Sequence, residues 1–494
     1  MLKGILKVID KSQMERLHEG VLNVLETTGL LIRGKFLLEA LADAGCKVDF
    51  DKMRAWFPPE VVEKQIAAQR DRYKMVRSSL WYPFCREMPQ NDVCWPDEFC
   101  VDFGYAAPWI YDYPSGNYRK PTSQDQVDMI KLGNALEEAK AINAPYICSD
   151  FDSKVEIIES SRLLLLNTKK PGWVGTSCGA EVKYLAEFAK LATGDDHDAL
   201  SLAPPIFVTA YCTTSPLKID TRSCEVLEEA LRHKFPVNFA SMPILGATTP
   251  VSPAGSVIVA AAEILGGITA VSLIDPEVRH FGASISGEMD MKTTQVCYGT
   301  PAAILTDAVL HQLLRYKYGL VHNVEAGYVE GKCPGMQAAF LKTYRQMAFG
   351  CTVSSSLPIG ALDNASVFSP TQAMLDLDFN RSMYMFAQGI EVDDETMCLD
   401  LINELEFCEG RTYLESDHTL QHYRELLWDS KYLDRTYREE TSLKPAEHDA
   451  RILEKADREW RRLVESQEPV EREQQFVAEV DGIVAAAREE LLGL

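Results

Sequence analysis

The sequence predicts an α/β protein built on a (β/α)8 TIM barrel, with a helical N-terminal cap and a helical C-terminal extension. Three observations carry that expectation. Short apolar runs alternate with helix-length segments between about residues 122 and 400, and such alternation implies parallel βαβ units. Roughly eight units are present, the number that closes a barrel. The predicted strand ends carry small and polar residues: Ser149, Thr176, Ser177, Tyr211, Ser241, His322, Asn323 and Ser354. In a parallel barrel those ends line the active site, so the pattern favours an enzyme over a scaffold. An open doubly wound sheet is the alternative architecture.

Residues 1–121 read as a cap plus an aromatic-rich region, 122–400 as the barrel and 401–494 as the extension. In the cap, Ser12 and Glu15 have the S-x-x-E spacing of a capping box, and Met14, Leu17, Val21, Leu22, Val24 and Leu25 make an apolar helical face. Gly29 is a natural stop. A second helix covers about 34–44, and Pro59 opens a third. Residues 81–121 hold too many aromatics, prolines and turn formers for a helix, and predict short strands or a hairpin.

The barrel strands are expected at 144–150, 172–177, 205–211, 236–242, 280–286, 319–327 and 351–356. The run 270–274 is either a strand or part of a connection. Helices are expected at 155–169, 181–193, 219–234, 253–266, 301–318 and 335–349. Residues 255–274 have the length of a membrane span. Glu263 at mid-stretch, a Gly pair and a β-branched second half point instead to a buried helix followed by a turn or strand. After residue 370 the chain is helical and charged, and its last helices are amphipathic with solvated faces that leave room for a homo-oligomer contact.

Composition narrows the function. The formal net charge is −23, which argues against a nucleic-acid partner, where a basic patch is expected. The thirteen cysteines are scattered, odd in number and without a CxxC pair, so they read as reduced thiols of a cytoplasmic protein. The N-terminus lacks the apolar core of a signal peptide.

Several motifs compete. "GTSCG" at 175–179 matches a nucleophile elbow with Ser177 as nucleophile, but no HGGG-like oxyanion segment accompanies it. "GYVEGKC" at 327–333 departs from a P-loop in glycine spacing and in its final residue. No Gly-x-Gly-x-x-Gly follows a strand, so no nucleotide cofactor is expected. His418 and His422 share a helix face and fit either zinc or structural roles. Phe103, Tyr105, Trp109, Tyr111, Tyr113, Trp173 and Tyr211 form an aromatic cluster, read either as core packing or as a cage for a quaternary ammonium. In "EGKCPGMQAAF", Pro334 fits the first turn of a helix, which puts Cys333 near its N-cap, where the helix dipole favours a thiolate.

Four separated segments carry a family resemblance: "LHEGVLNVLETTGLLIRGKFLLEALADAGCKVD", "MPILGATTPVSPAG", "YGTPAAILTDAVLHQLLRYKYGL" and "HTLQHYRELLW". In order and over nearly the whole chain, they resemble the trimethylamine methyltransferase family of corrinoid-dependent methyltransferases. The resemblance implies a (β/α)8 barrel that transfers a methyl group from a methylamine to the Co(I) of a separate corrinoid protein. The trimethylamine enzymes carry pyrrolysine before a proline in the segment matching "KCPGMQAAF". Here that position is Cys333. A cysteine cannot form the amine adduct attributed to pyrrolysine.

Relatives lacking pyrrolysine are associated with quaternary amines. The resemblance therefore implies glycine betaine as methyl donor, with proline betaine, carnitine and butyrobetaine as alternatives. It also implies a corrinoid (cobalamin) held by a partner protein, with no membrane association. Candidate cage residues are Tyr105, Trp109, Tyr211 and Phe368, and His322 and Asn323 are candidates for the betaine carboxylate. These six come from their positions in the chain, not from a family motif. No metal ligand set and no catalytic side chain are assigned.

Overall fold

A computed structural model describes residues 7–75, 101–170 except 105, 172–193 except 177, 206–209, 212–213, 215–278, 280–320, 322–324, 326–352, 357–404 and 410–493. The N-terminal cap has helices α1 (Lys11–Thr27), α2 (Lys35–Asp43) and α3 (Pro59–Met75). The capping box of α1 is made by Asp10 and Gln13, two residues ahead of the predicted pair. Glu15 is thereby free to pair with Lys317, which ties α1 to the main body. Gly29 ends α1 at φ +64°, and a Cβ there would lie 2.0 Å from the Ala55 carbonyl oxygen. The predicted hairpin is present as antiparallel Trp109–Asp112 and Asn117–Arg119. The rest of the expected strand region, 81–100, lies outside the described residues.

The main body alternates strands and helices. Its strands are β1 (Val101–Asp102), β2 (Gly172–Gly175), β3 (Ile206–Thr209), β4 (Cys212–Thr213), β5 (Val237–Ser241), β6 (His280–Ser284), β7 (His322–Val324) and β8 (Leu357–Pro358). Its helices are α4 (Ser123–Ala135), α5 (Glu156–Asn167), α6 (Gly179–Thr193), α7 (Thr221–Arg232), α8 (Pro253–Ile274), α9 (Pro301–Gln312), α10 (Met336–Thr352) and α11 (Pro370–Gln388). All these strand pairings are parallel: β2 with β3, β4–β5–β6–β7 in one sheet, and β1 with β8. A single parallel bridge joins Ala107 to Tyr146.

Two predicted boundaries change. Residues 270–274 are the last turns of α8, one continuous 22-residue helix, and are not a strand. Its Gly266–Gly267 pair does not stop the helix, because both glycines serve close packing. A Cβ on Gly267 would lie 2.3 Å from the Phe239 ring, and one on Gly266 would lie 2.5 Å from Leu30. α8 is the one described helix apolar and long enough to cross a membrane, and 78% of its most apolar window is buried within the protein. The second change is at α10, which begins at Met336 rather than at Pro334. Cys333 therefore sits in the preceding turn and is not an N-cap.

The extension contains α12 (Asp417–Leu426), α13 (His448–Glu465) and α14 (Gln474–Leu492). α14 lies against α5 and α6 through the Arg488–Glu159, Arg162–Asp481 and Lys183–Glu490 ion pairs. α13 lies against α4 and α11, where Asp457 accepts from Thr371 at 3.0 Å.

Candidate active site

Alternation along the parallel strands separates two sets of side chains. One set faces the helices. Ser241 donates to Glu263 of α8 at 2.5 Å, and Ser284 donates to Asp307 of α9 at 2.7 Å. His322 meets His311 of α9 with 3.3 Å between the two Nδ1 atoms. Residues 237, 239, 241, 280, 282, 284, 322 and 324 thus point outward. The intervening residues point to the helix-free face: Asn238 and Ala240, Phe281 and Ala283, and Asn323. The register places Ala240, Ala283 and Asn323 side by side.

That row is unusual for the middle of a sheet. Ala240 and Asn323 are only half-buried, whereas Ser241, Ser284 and Val324 are buried on the helix side. Ala240 and Asn323 keep part of their surface accessible on the helix-free face, while Ala283 between them is buried.

The same logic applies at β1. Phe103 and Ile142 both lean on Gly133 of α4, where an added Cβ would lie 3.0 and 2.8 Å from them. Asp102 and Asn143 therefore point away from the helices. Asp102 Oδ1 accepts from the Gly104 backbone N–H at 2.8 Å and from Asn143 Nδ2 at 3.4 Å. Among the described residues, Asn143 Oδ1 and Asn238 Oδ1 are buried and meet no hydrogen-bond donor.

Behind the strand ends, buried ion pairs anchor the loops. Asp307 accepts from the Ser286 hydroxyl at 2.7 Å and from Arg345 at 3.3 Å, and Arg345 also donates to the Tyr298 carbonyl at 2.7 Å. Asp376 accepts from Lys342 and from the Gly360 N–H, both at 2.8 Å, while Lys342 also donates to the Gly327 carbonyl. These bonds hold the loops after β6, β7 and β8.

The predicted site residues are only partly brought together. Tyr105, Tyr211 and Ser177 lie outside the described residues. Asn323 is on the helix-free face. Its neighbour His322 is not: it is buried against α9, and burial first and the Arg315 charge second push its imidazole down to about 3. Trp109 is 39% exposed and its ring is already covered by the Lys120 ammonium, 3.7 Å from the centroid. Phe368 is buried edge-to-face against Tyr146 at 5.3 Å and Phe103 at 6.0 Å, within the helix-side core.

Cys333 is exposed beside the 109–119 hairpin, next to the Tyr118 hydroxyl that donates to the Lys332 carbonyl at 2.9 Å. Burial first, with Cys333 as the next cause, raises the phenols of Tyr111 and Tyr118. His418 and His422 lie one turn apart on α12, with ring centroids 4.8 Å apart, and His418 Nε2 is 3.2 Å from Cys398 Sγ. Among the described residues no group of three or more His, Cys, Asp or Glu side chains is placed to hold a metal ion.

Asp102, Asn143 and Asn238 were not singled out from the sequence. Their one signal was a polar residue between apolar neighbours, within a strand for Asp102 and Asn238 and just before the Tyr146 bridge for Asn143, and only the facing direction gives it meaning.

The chain matches the model of one protein family, Trimethylamine methyltransferase (MTTB), over residues 3–491. It belongs to the trimethylamine methyltransferase family. Within this family the chain is an enzyme, a methyltransferase of the corrinoid-protein-dependent kind, which replaces the serine-hydrolase reading of Ser177. It is 27% identical over 430 residues to the trimethylamine methyltransferase MttB of Desulfitobacterium hafniense strain DCB-2, covering 86% of this chain and 84% of that one. It is 23% identical over 491 residues to the glycine betaine methyltransferase of D. hafniense strain Y51, covering 98% of both chains. Among solved structures it is similar to the monomethylamine methyltransferase MtmB of Methanosarcina barkeri, with a TM-score of 0.40, 12% identity, and coverage of 93% of this chain and 92% of that one.

Proposed function

We propose that this enzyme moves a methyl group from a quaternary amine, glycine betaine foremost, to the Co(I) of a corrinoid carried by a separate protein. The observation that carries the reading is Cys333. By the family resemblance it stands where the trimethylamine enzymes carry pyrrolysine, and it lies in an exposed turn. A thiol there cannot form the adduct that a tertiary amine requires. A quaternary amine needs none, because its nitrogen is already positively charged. When the N–CH3 bond breaks, its electron pair stays on nitrogen, the methyl passes to the Co(I) of the partner's corrinoid, and dimethylglycine leaves as a neutral tertiary amine. No proton donor is consumed. This chain's residues then act by positioning and by excluding water. The near full-length match to a glycine betaine methyltransferase supports the same donor.

The reading includes a closed (β/α)8 barrel. The order β1, the segment at Tyr146, β2, β3 with β4, β5, β6, β7 and β8, with β8 returning to β1, fits eight parallel strands in a ring. The helix-free face is then the lumen, and the loops at the C-terminal strand ends frame its mouth. This ring starts near residue 101, before the boundary expected at 122. Asn323, in the row with Ala240 and Ala283, is the carboxylate partner retained from the predicted set.

The same proposal includes a homo-oligomer. Ile390, Val392, Leu414, Leu420, Leu426, Leu427 and Tyr437 all expose more than 60% of their surface. Bare apolar side chains of this kind are what a subunit contact covers. A second copy of this chain is the occupant.

The test is reconstitution with the cognate corrinoid protein reduced to Co(I), following the absorbance change on cobalt methylation. Methylation with glycine betaine and none with trimethylamine is the expected result. No methylation with any of glycine betaine, proline betaine, carnitine or butyrobetaine overturns the reading, as does equal activity with trimethylamine.

A further inference from the structure

Acidic residues outnumber basic ones 73 to 50 in this chain, so cations gathered without a carboxylate run against the composition. Lys169, Lys170 and Arg472 are such a group. Among the described residues none of the three forms an ion pair with a carboxylate. All three line one cavity of about 140 Å³, between the ends of α5 and α6 and the start of α14, together with Thr168 and Phe476. That volume is well beyond the space of one water and below the roughly 300 Å³ at which sites for larger organic ligands begin. A compact ion fits it.

Arg472 is held in place from two sides. Its Nη2 donates to the Thr168 carbonyl, and its guanidinium lies over the Phe476 ring, 5.2 Å from the centroid. A guanidinium has further donors, and those of Arg472, the covered Nε among them, meet no acceptor among the described residues. Lys170 Nζ donates to the Gly133 and Leu136 carbonyls at the end of α4, at 2.7 and 2.8 Å. Lys169 is exposed and makes no hydrogen bond or ion pair among the described residues. α14 starts at the cavity without a side-chain cap, so its first N–H groups add to the positive potential. Burial lowers Arg472, and burial first with Lys140 next lowers Lys170, against the opposing Glu138 and Glu137 charges. Capping the ends of α4 and α5 accounts for the bonds that Lys170 and Arg472 make. It accounts neither for Lys169 nor for the cavity that the three cations share.

We propose that Lys169, Lys170 and Arg472 form a binding site for a phosphoryl group, carried by inorganic phosphate or by a small phosphate monoester. The planar fork of Arg472 matches an edge of the phosphate, and the lysines add charge. A dianion offsets more of the gathered charge than a carboxylate does. The site stands apart from methyl transfer. Lys170 lies two residues before the first residue of β2, Gly172, and on the closed-barrel reading that is the end opposite the mouth. The inference does not depend on which amine is the methyl donor.

The experiment is isothermal titration calorimetry of the full-length protein at neutral pH in a buffer without oxyanions, with ionic strength held constant by sodium chloride. The ligands are inorganic phosphate, glycerol 3-phosphate and acetate. The wild type is expected to bind inorganic phosphate with a Kd of about 1 mM or below, and acetate at least about tenfold more weakly. Glycerol 3-phosphate separates the two sources: binding as tight as that of the free ion admits monoesters, weaker binding restricts the site to free phosphate, and both support the proposal. Arg472→Gln is expected to weaken phosphate binding by about tenfold. Lys169→Gln, at an exposed position, is expected to weaken it by about threefold and decides the matter if Arg472→Gln does not fold. A wild-type Kd above about 10 mM for phosphate, or equal affinity in wild type and the folded variants, overturns the proposal. If Arg472→Gln lowers the melting temperature yet binds phosphate as wild type does, Arg472 is a helix cap alone and the proposal falls.

Discussion

Single residues carry the chemistry. On the proposed function, Cys333 stands in place of a special amine-binding residue and positioning replaces thiol chemistry, so Cys333→Ala is expected to retain methyl transfer within about twofold of wild type. Loss of transfer with betaine binding and melting temperature intact would count against that view. His311 and His322 make a different prediction. Burial lowers both imidazoles, His322 to about 3 and His311 well below its ordinary value. A folded value below the unfolded 6.5 means that the unfolded chain takes up protons first as pH falls. The stability from keeping these rings neutral is complete above about pH 6.5 and is lost toward pH 3, with a slope of at most about 1.4 kcal/mol per pH unit for each ring. Melting temperatures between pH 7.5 and 4.5 should therefore fall less steeply in His311→Phe than in wild type. Identical slopes would assign the acid sensitivity elsewhere. The identities of these residues were all visible in the sequence. Their facing was not, and His322 and Asn323 show why: adjacent in the chain, they point to opposite sides of one strand.

Among the elements, α8 is the most informative. Its apolar length invites a membrane reading, and its Gly266–Gly267 pair invites a break. Both features instead serve packing between the cap and β5, because small residues let Leu30 and Phe239 approach the helix axis. Gly267→Ala is expected to destabilise by about 1–3 kcal/mol in urea unfolding, from overpacking against Phe239. An unchanged midpoint would show that the ring can move aside. Glu263 in the same helix accepts from the Leu217 N–H at 2.7 Å and from the Ser215 hydroxyl at 2.8 Å, as well as from Ser241. It pins the loop after β4 to the end of β5. Glu263→Ala leaves the half-buried Leu217 N–H and the buried Ser241 hydroxyl without this acceptor and should cost about 1–3 kcal/mol. A smaller loss would mean that another acceptor takes over. The sequence showed Glu263 as an anomaly in an apolar run, while its partners, more than twenty residues away, became apparent only in the fold.

For the whole molecule, a stable assembly is expected from the bare apolar side chains between 390 and 437. Within this stretch Trp428, Tyr432 and Leu433 line a groove of about 620 Å³ together with Met336, Phe340, Leu375 and Phe379 of α10 and α11. Light scattering after size exclusion should return a multiple of 55.3 kDa, and a monomer at micromolar concentration would overturn the expectation. The α/β class, the order of most helices and strands, and the family resemblance were legible in the sequence by itself. Each follows from local periodicity, turn residues or contiguous motifs, which the chain carries without folding. The tertiary structure alone decided that Asp102, Asn143, Asn238 and Asn323 face away from the helices, that Phe368 and His322 do not, and that Lys120 covers Trp109. Facing depends on which strand pairs with which and in what register, and a shift of one residue exchanges the two sides.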